Sequence, residues 1–333
     1  MSSGGLPRYL SELTRALSEG FPEDSFVLSS DQPFESGFPR LRGPANWLER
    51  RWWLYGAERV NRNEGVDLFH GTNFAIPYFA RRPTVLTIHD LSPWLNSRWH
   101  TGADRVRKRT PRMIALATAI VTPSQAVRAE VIERFRVGAG RVVATPLAAA
   151  SWFRPTPKPA DKPYFVFVGT LEPRKNIPML IEAWRTVRRR HDIDLILAGR
   201  RREDFAALEA EAGLRILGET PEEQLPELYS NAVAVVYPSQ YEGFGLPVLE
   251  AMQCGAPVIV SRDAALTEVA GGAALQADTA VKLAAAMEAV VSKPELRAKL
   301  SDRSRARARQ FSWSATAALT HEVYREAVAR FGR

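Results

Sequence analysis

A chain of 333 residues, 45% hydrophobic and 25% charged, has room for about two domains with full cores, which excludes a disordered protein. Its 45 Lys and Arg against 37 Asp and Glu give a net charge of +8, and the excess lies mostly in residues 1–150, where 20 basic side chains meet 14 acidic ones; charge of this kind suits phosphates of any origin without choosing among them. The single cysteine, Cys254, excludes an internal disulfide and a paired-cysteine zinc site, no apolar run approaches the roughly 20 residues of a spanning helix, and no leader-like segment is visible, so the expected location is cytoplasmic.

The chain opens on a glycine-rich turn holding Gly4 and Gly5, followed by an amphipathic helix with Leu10, Leu13 and Leu17 on one face. A doubly wound domain normally begins with a strand, and none precedes this turn, so the N-terminal domain is expected to lack its first strand. Short β-branched or aromatic runs predict strands at 26–29, 68–70, 84–88, 119–122 and 141–144. Two stretches of this half, Trp47 to Tyr55 and Arg105 to Arg112, mix aromatic and basic residues. A surface for anionic lipid and ordinary helix packing with a solvated basic face account for them equally well.

A Pro-rich stretch at 155–163 reads as an interdomain linker. Beyond it, strands are predicted at 164–169, 194–198, 214–217, 232–237 and 257–261, with a helix over 178–190 whose apolar residues Leu180, Ile181, Trp184 and Val187 follow the helical period. Phe311-Ser-Trp313 breaks an Arg-rich helix, and a last helix runs over 314–331. Apolar strands bounded by turn residues imply parallel sheets covered on both faces, hence an α/β chain of two Rossmann-like domains, 1–154 and 164–312, with ligands at the strand C-termini.

Two segments carry the chemistry. In Phe167-Val-Gly-Thr-Leu-Glu-Pro-Arg174-Lys175-Asn a strand ends at glycine and a short loop presents a forked guanidinium beside an ammonium just ahead of a helix, a pairing that neutralises a diphosphate. In Tyr241-Glu242-Gly243-Phe244-Gly245-Leu246-Pro-Val-Leu-Glu250 the glycines permit a tight turn, Pro247 suits a first helical turn, and a helix N-terminus offers amides to an anion or to sugar hydroxyls. Two carboxylates from loop and helix are suited to accept from such hydroxyls; alternatively, Glu250 complements the helix dipole and Glu242 is solvated.

Together with Gly255-Ala-Pro-Val-Ile-Val260, these segments closely resemble the retaining, nucleotide-sugar-dependent glycosyltransferases of GT-B fold and family 4 type, the group that includes bacterial mannosyltransferases. The resemblance covers almost the whole chain, more loosely in the N-terminal half. It implies two domains facing across a cleft, a final helix, 313–333, crossing back to the first, and transfer of a hexose from a GDP- or UDP-sugar, mannose ahead of others, to a glycan or lipid-linked acceptor. It implies that Lys175 and Arg174 hold the diphosphate, Glu250 the ribose, and Glu242 with the amides around Phe244 and Gly245 the donor sugar. Gly199 and Gly218 would flank the base, Gly4 and Gly5 approach the diphosphate, and His89 touch the transferred sugar. Some relatives have Arg where this chain has Thr170, which places more of the diphosphate on Arg174 and Lys175. No cofactor and no divalent metal is implied, nor a nucleic-acid partner; a peripheral contact with the inner face of the membrane is expected from the basic half. His89-Asp90 could also be structural, and neither it nor any other segment has metal-ligand spacing. An inactive sugar-nucleotide-binding protein and an epimerase of the same fold are the competing readings.

Overall fold

The computed structural model describes residues 5–30, 41–96, 99, 103–158 and 162–331. The chain divides into two compact units, the first formed by Met1–Leu147 with Trp313–Arg333 and the second by Ala148–Ser312.

In the first unit, β1 (Leu28–Ser29) pairs with β2 (Leu41–Arg42) in a two-stranded sheet, and β3 (Phe69–Gly71), β4 (Thr84–Thr87), β5 (Ala119–Thr122) and β6 (Val142–Ala144) form a four-stranded sheet in that order, all parallel. The run at 26–29 is therefore a strand only at its last two residues, and it lies outside the main sheet because its ladder is made with Leu41–Arg42. The main sheet is buried on both faces. Leu86 and Ile120 point into a cluster with Ile88, Met113, Val127 and Val131, while Val85, Ala119 and Val121 point the other way, onto Val323 and Ala327 of the last helix, Trp313–Arg330. This two-sided burial is why these strands read as continuous apolar runs.

The last helix also packs on the first, Gly5–Gly20, and a buried polar chain ties both to the sheet. Tyr9 and His70 share the Thr87 hydroxyl, at 3.1 and 2.7 Å, and the other ring nitrogen of His70 meets the Tyr324 hydroxyl at 2.7 Å. Burial, and secondarily His89, pushes the His70 imidazole down to about 3, so it stays neutral.

The second unit is a six-stranded parallel sheet built from β7 (Tyr164–Val168), β8 (Asp194–Ala198), β9 (Leu214–Gly218), β10 (Ala234–Tyr237), β11 (Val258–Val260) and β12 (Leu275–Gln276), in the order β12-β11-β10-β7-β8-β9. From β7 the chain winds outward through β8 and β9; from β10 it winds the opposite way. The winding reverses between β7 and β10, and the carboxyl ends of those two strands are where such a sheet leaves a crevice.

The division between units falls at Leu147/Ala148, ahead of the Pro-rich stretch. Residues from 148 onward are anchored to the second unit. Gln253 Nε2 donates to the carbonyls of Ala150 and Phe153 at 2.9 and 2.7 Å, and the backbone amides of Thr156 and Lys158 donate to the side chains of Ser230 and Asn231. Among the described residues no helix is long and apolar enough to cross a membrane.

Candidate functional site

The carboxyl edge of the second sheet is lined by glycine because backbones approach there. Gly169, Gly199 and Gly218 end or follow β7, β8 and β9, all with positive φ. A Cβ on Gly199 would sit 2.1 Å from the Gly169 carbonyl oxygen. The Gly199 amide donates to the Gly218 carbonyl at 2.7 Å, so these two glycines are direct neighbours.

After β7, a short 3-10 turn, Pro173–Lys175, carries the two predicted cations, and Asn176 beyond it adopts the left-handed conformation before the helix Ile177–Arg188 begins. After β10, the chain passes Glu242 and enters the helix Leu246–Gln253 through Gly245, whose φ of 97° only glycine takes without strain and where a Cβ would meet Leu266. As the N-cap, Gly245 has no side chain with which to cap that helix.

These loops bring Arg174, Lys175 and Glu242 together. Arg174 Nη1 lies 2.9 Å from Glu242 Oε2, and the Lys175 ammonium donates to Glu242 Oε1. All three side chains are largely buried. Burial alone would raise the Glu242 carboxyl, but Arg174 and Lys175 outweigh it and hold it at about 2. Lys175 is lowered, chiefly by its burial and then by Arg174.

Four residues join this centre that the sequence motifs did not single out as functional. Tyr237 at the end of β10 accepts a hydrogen bond from Lys175 Nζ at 2.9 Å, with its ring stacked on Phe167 at 5.1 Å. Glu172 lies 2.7 Å from Arg174 Nε and 2.8 Å from Arg202 Nη1, and Arg202 in turn pairs with Asp204. Tyr229 donates to Glu250 Oε2 at 3.3 Å. Glu242 is buried and ion-paired rather than solvated, and Glu250 is buried in the helix. The Lys175 ammonium thus meets the hydroxyl of Tyr237, and Glu250 meets that of Tyr229. Glu172 stands in the quoted motif and Arg202 in an Arg run, so composition hinted at both; Tyr229 and Tyr237 look like ordinary core aromatics.

In the first unit, His89 follows β4. Its Nε2 lies 2.7 Å from the Thr72 carbonyl, which only accepts, so Nε2 carries the proton and Nδ1 keeps its lone pair. The Tyr9 ring meets the imidazole edge-on at 4.9 Å, with Phe74, itself at a φ of 55°, on another side. Burial lowers the His89 imidazole, partly opposed by the Thr72 bond and by Asp90. Asp90 is used locally, accepting from the Ser92 amide at 2.9 Å. Gly5 starts the first helix, and Gly4 lies outside the described residues. Among the described residues no three His, Cys, Asp or Glu side chains cluster as metal ligands.

Residues 149–307 match the family described as glycosyl transferases group 1, and residues 3–150 match glycosyltransferase family 4, the two meeting close to the division between units. O-antigen chain mannosyltransferase B from Escherichia coli is 37% identical over 284 residues, 78% of this chain and 74% of that one. MMP alpha-(1->4)-mannosyltransferase from Mycolicibacterium hassiacum is 30% identical over 246 residues, 70% of this chain and 59% of that one, so this chain spans less than two thirds of that relative. Among solved structures, Anabaena HepE in complex with UDP-glucose superposes with a TM-score of 0.77 at 18% identity, covering 98% of this chain and 97% of that one.

Proposed function

Because this chain belongs to the group 1, family 4 glycosyltransferases of GT-B fold, which act from nucleotide sugars, we propose that it is a retaining, metal-independent hexosyltransferase whose donor is gripped by the Arg174–Lys175–Glu242 centre. The observation that carries this reading is the convergence of those three buried side chains at the point where the winding of the second sheet reverses. GDP-mannose is the first donor to test, since both curated relatives named above are mannosyltransferases by name. The acceptor class proposed is a glycan or lipid-linked glycan of polysaccharide biosynthesis.

As the glycosidic bond breaks, negative charge builds on the nucleoside diphosphate. Arg174 and Lys175 stabilise that charge, as a fixed cationic site does when aimed at a leaving group. The departing phosphate takes the acceptor's proton as the new bond forms on the same face. Glu242 is assigned to binding the hydroxyls of the donor sugar rather than to a double displacement. In this scheme Glu250 accepts from the ribose hydroxyls, the base lies over the Gly199–Gly218 pair, and Gly243 to Leu246 hold the sugar with Glu242. His89, with its Nδ1 lone pair, is assigned to the transferred sugar, and Gly4 with Gly5 to the diphosphate.

The acceptor proposal draws on the basic, aromatic surface of the first unit. Trp47 is 76% and Phe79 60% exposed, and Arg109 and Arg112 stack over Trp53 and Tyr78 at 5.9 and 4.9 Å. Such a surface suits the headgroup region of an anionic bilayer, consistent with peripheral attachment on the cytoplasmic side. Preferential co-sedimentation with anionic over neutral liposomes is expected.

The deciding experiment is donor turnover across GDP- and UDP-hexoses in the presence of EDTA, with Lys175→Ala and Glu242→Ala as controls. We expect one donor to stand out, no loss with chelator, and a loss of at least about 100-fold in either variant, in the range typical of removing a charge-stabilising group. Unchanged turnover in both variants would refute the assigned centre.

A further inference from the structure

Arg174 and Lys175 are not idle cations awaiting phosphate. Each is engaged by a carboxylate oxygen of Glu242, and Arg174 also by Glu172, which shares itself with Arg202. With the Arg202–Asp204 pair included, three cations are matched by three carboxylates. A diphosphate entering this centre therefore competes with Glu242 for the same two cations. We propose that Glu242 acts as an internal competitor of phosphate, one that gives up Arg174 and Lys175 more readily to a nucleotide whose transferred sugar supplies hydroxyls for its carboxylate, so that it favours the sugar-loaded donor over the spent nucleoside diphosphate.

This inference rests on the proposed donor site and adds a direction to it. A sugar nucleotide offers Glu242 new donors at the moment its diphosphate takes the cations, so the carboxylate exchanges one set of partners for another. A nucleoside diphosphate brings one more negative charge and no transferred sugar, so the buried carboxylate loses both cations and gains no sugar hydroxyls, with the Ser239 hydroxyl the neighbour left to it, and buried charges short of partners are costly. The near-complete burial of Glu242 matters here, because water cannot readily replace the cations it would lose. Its backbone is also fixed, the Glu242 amide donating to Asp263 Oδ2 at 3.3 Å and the Gln240 amide to the Arg174 carbonyl at 2.8 Å, so the side chain cannot simply swing into solvent with its loop.

Calorimetric titration of GDP, UDP and inorganic pyrophosphate into the wild type, Glu242→Gln and Glu242→Ser tests this. Removing one buried negative charge a few ångströms from the phosphates is expected to tighten binding of the nucleoside diphosphate about tenfold or more, with pyrophosphate following the same trend. The same variants are expected to turn over the sugar donor more slowly and to show stronger inhibition by product. Nucleoside diphosphate binding that is unchanged or weaker in whichever of the two variants folds overturns the proposal. Absence of nucleoside diphosphate binding to the wild type overturns the donor site itself, so the two failures are told apart; Lys175→Met, which removes a cation, is expected to weaken the same ligands.

Discussion

Replacing Tyr237 by Phe removes one oxygen and leaves the ring, which makes it a clean probe of how Lys175 is held. The phenol accepts from the ammonium at 2.9 Å, while the ring lies 5.0 Å from Nζ and stacks on Phe167, contacts that phenylalanine keeps. A hydrogen bond to a charged group contributes about 1.5–3 kcal/mol, and here its loss leaves a buried N–H of the ammonium to find another acceptor. For a unit of this size about 2–4 °C of melting temperature is lost per kcal/mol, so a drop of about 3–12 °C is expected in a calorimetric scan. Burial, reinforced by Glu242, keeps the phenol far above its ordinary titration range, so the effect is that of a neutral acceptor at any working pH. Steady-state kinetics supply the second readout: with the ammonium less well aimed, the donor KM rises about tenfold, the equivalent of about 1.4 kcal/mol. A melting temperature and a donor KM both equal to the wild type would refute the argument. A lower melting temperature with unaltered kinetics would confine Tyr237 to a structural role.

Stability should also fall as acid is added, in a window set by His70. Its imidazole is held neutral at about 3 in the fold, whereas the unfolded side chain protonates below about 6.5, so its contribution is complete above that pH and is lost on the way down towards 3, with a slope of up to about 1.4 kcal/mol per pH unit. Melting curves from pH 7 to pH 4 should show this slope, and His70→Gln should flatten it; equal slopes in the two proteins would contradict the assignment. Gly199→Ala places a Cβ against the Gly169 carbonyl at a φ of 138°, so loss of soluble folded protein or a penalty above about 3 kcal/mol is expected by chemical denaturation, and a mild effect would count against the close approach. Glu250→Gln should raise the donor KM about 10–100-fold while leaving 2′,3′-dideoxy donor analogues unaffected, since only ribose hydroxyls give the carboxylate its role; a uniform loss across both would place Glu250 in support of the helix instead.

The central strands of the second sheet were legible because burial on both faces leaves an uninterrupted apolar run, as at Phe165 to Val168 and Ala234 to Tyr237. Leu275–Gln276 was not, since one half-buried and one exposed residue carry no pattern. At 26–29 the pattern announced a strand without naming its partner, and the partner decides which sheet it joins. Proline content likewise marked 155–163 as irregular backbone but could not show that Ser230, Asn231 and Gln253 hold Thr156, Lys158 and the residues just before them to the second unit. In the candidate site Arg174, Lys175 and Glu242 could be read from residue type and loop position. That Glu242 lies directly on the two cations could not, nor could the roles of Tyr229 and Tyr237, whose hydroxyls differ from those of any core tyrosine only by what stands opposite them.

The second unit is one unbroken stretch of chain, whereas the first needs both ends, because Val323 and Ala327 cover the sheet face formed by Val85, Ala119 and Val121. During synthesis, the unit begun earliest is thus the one finished latest. Until the final helix leaves the ribosome, that apolar face lacks the cover that Val323 and Ala327 give it.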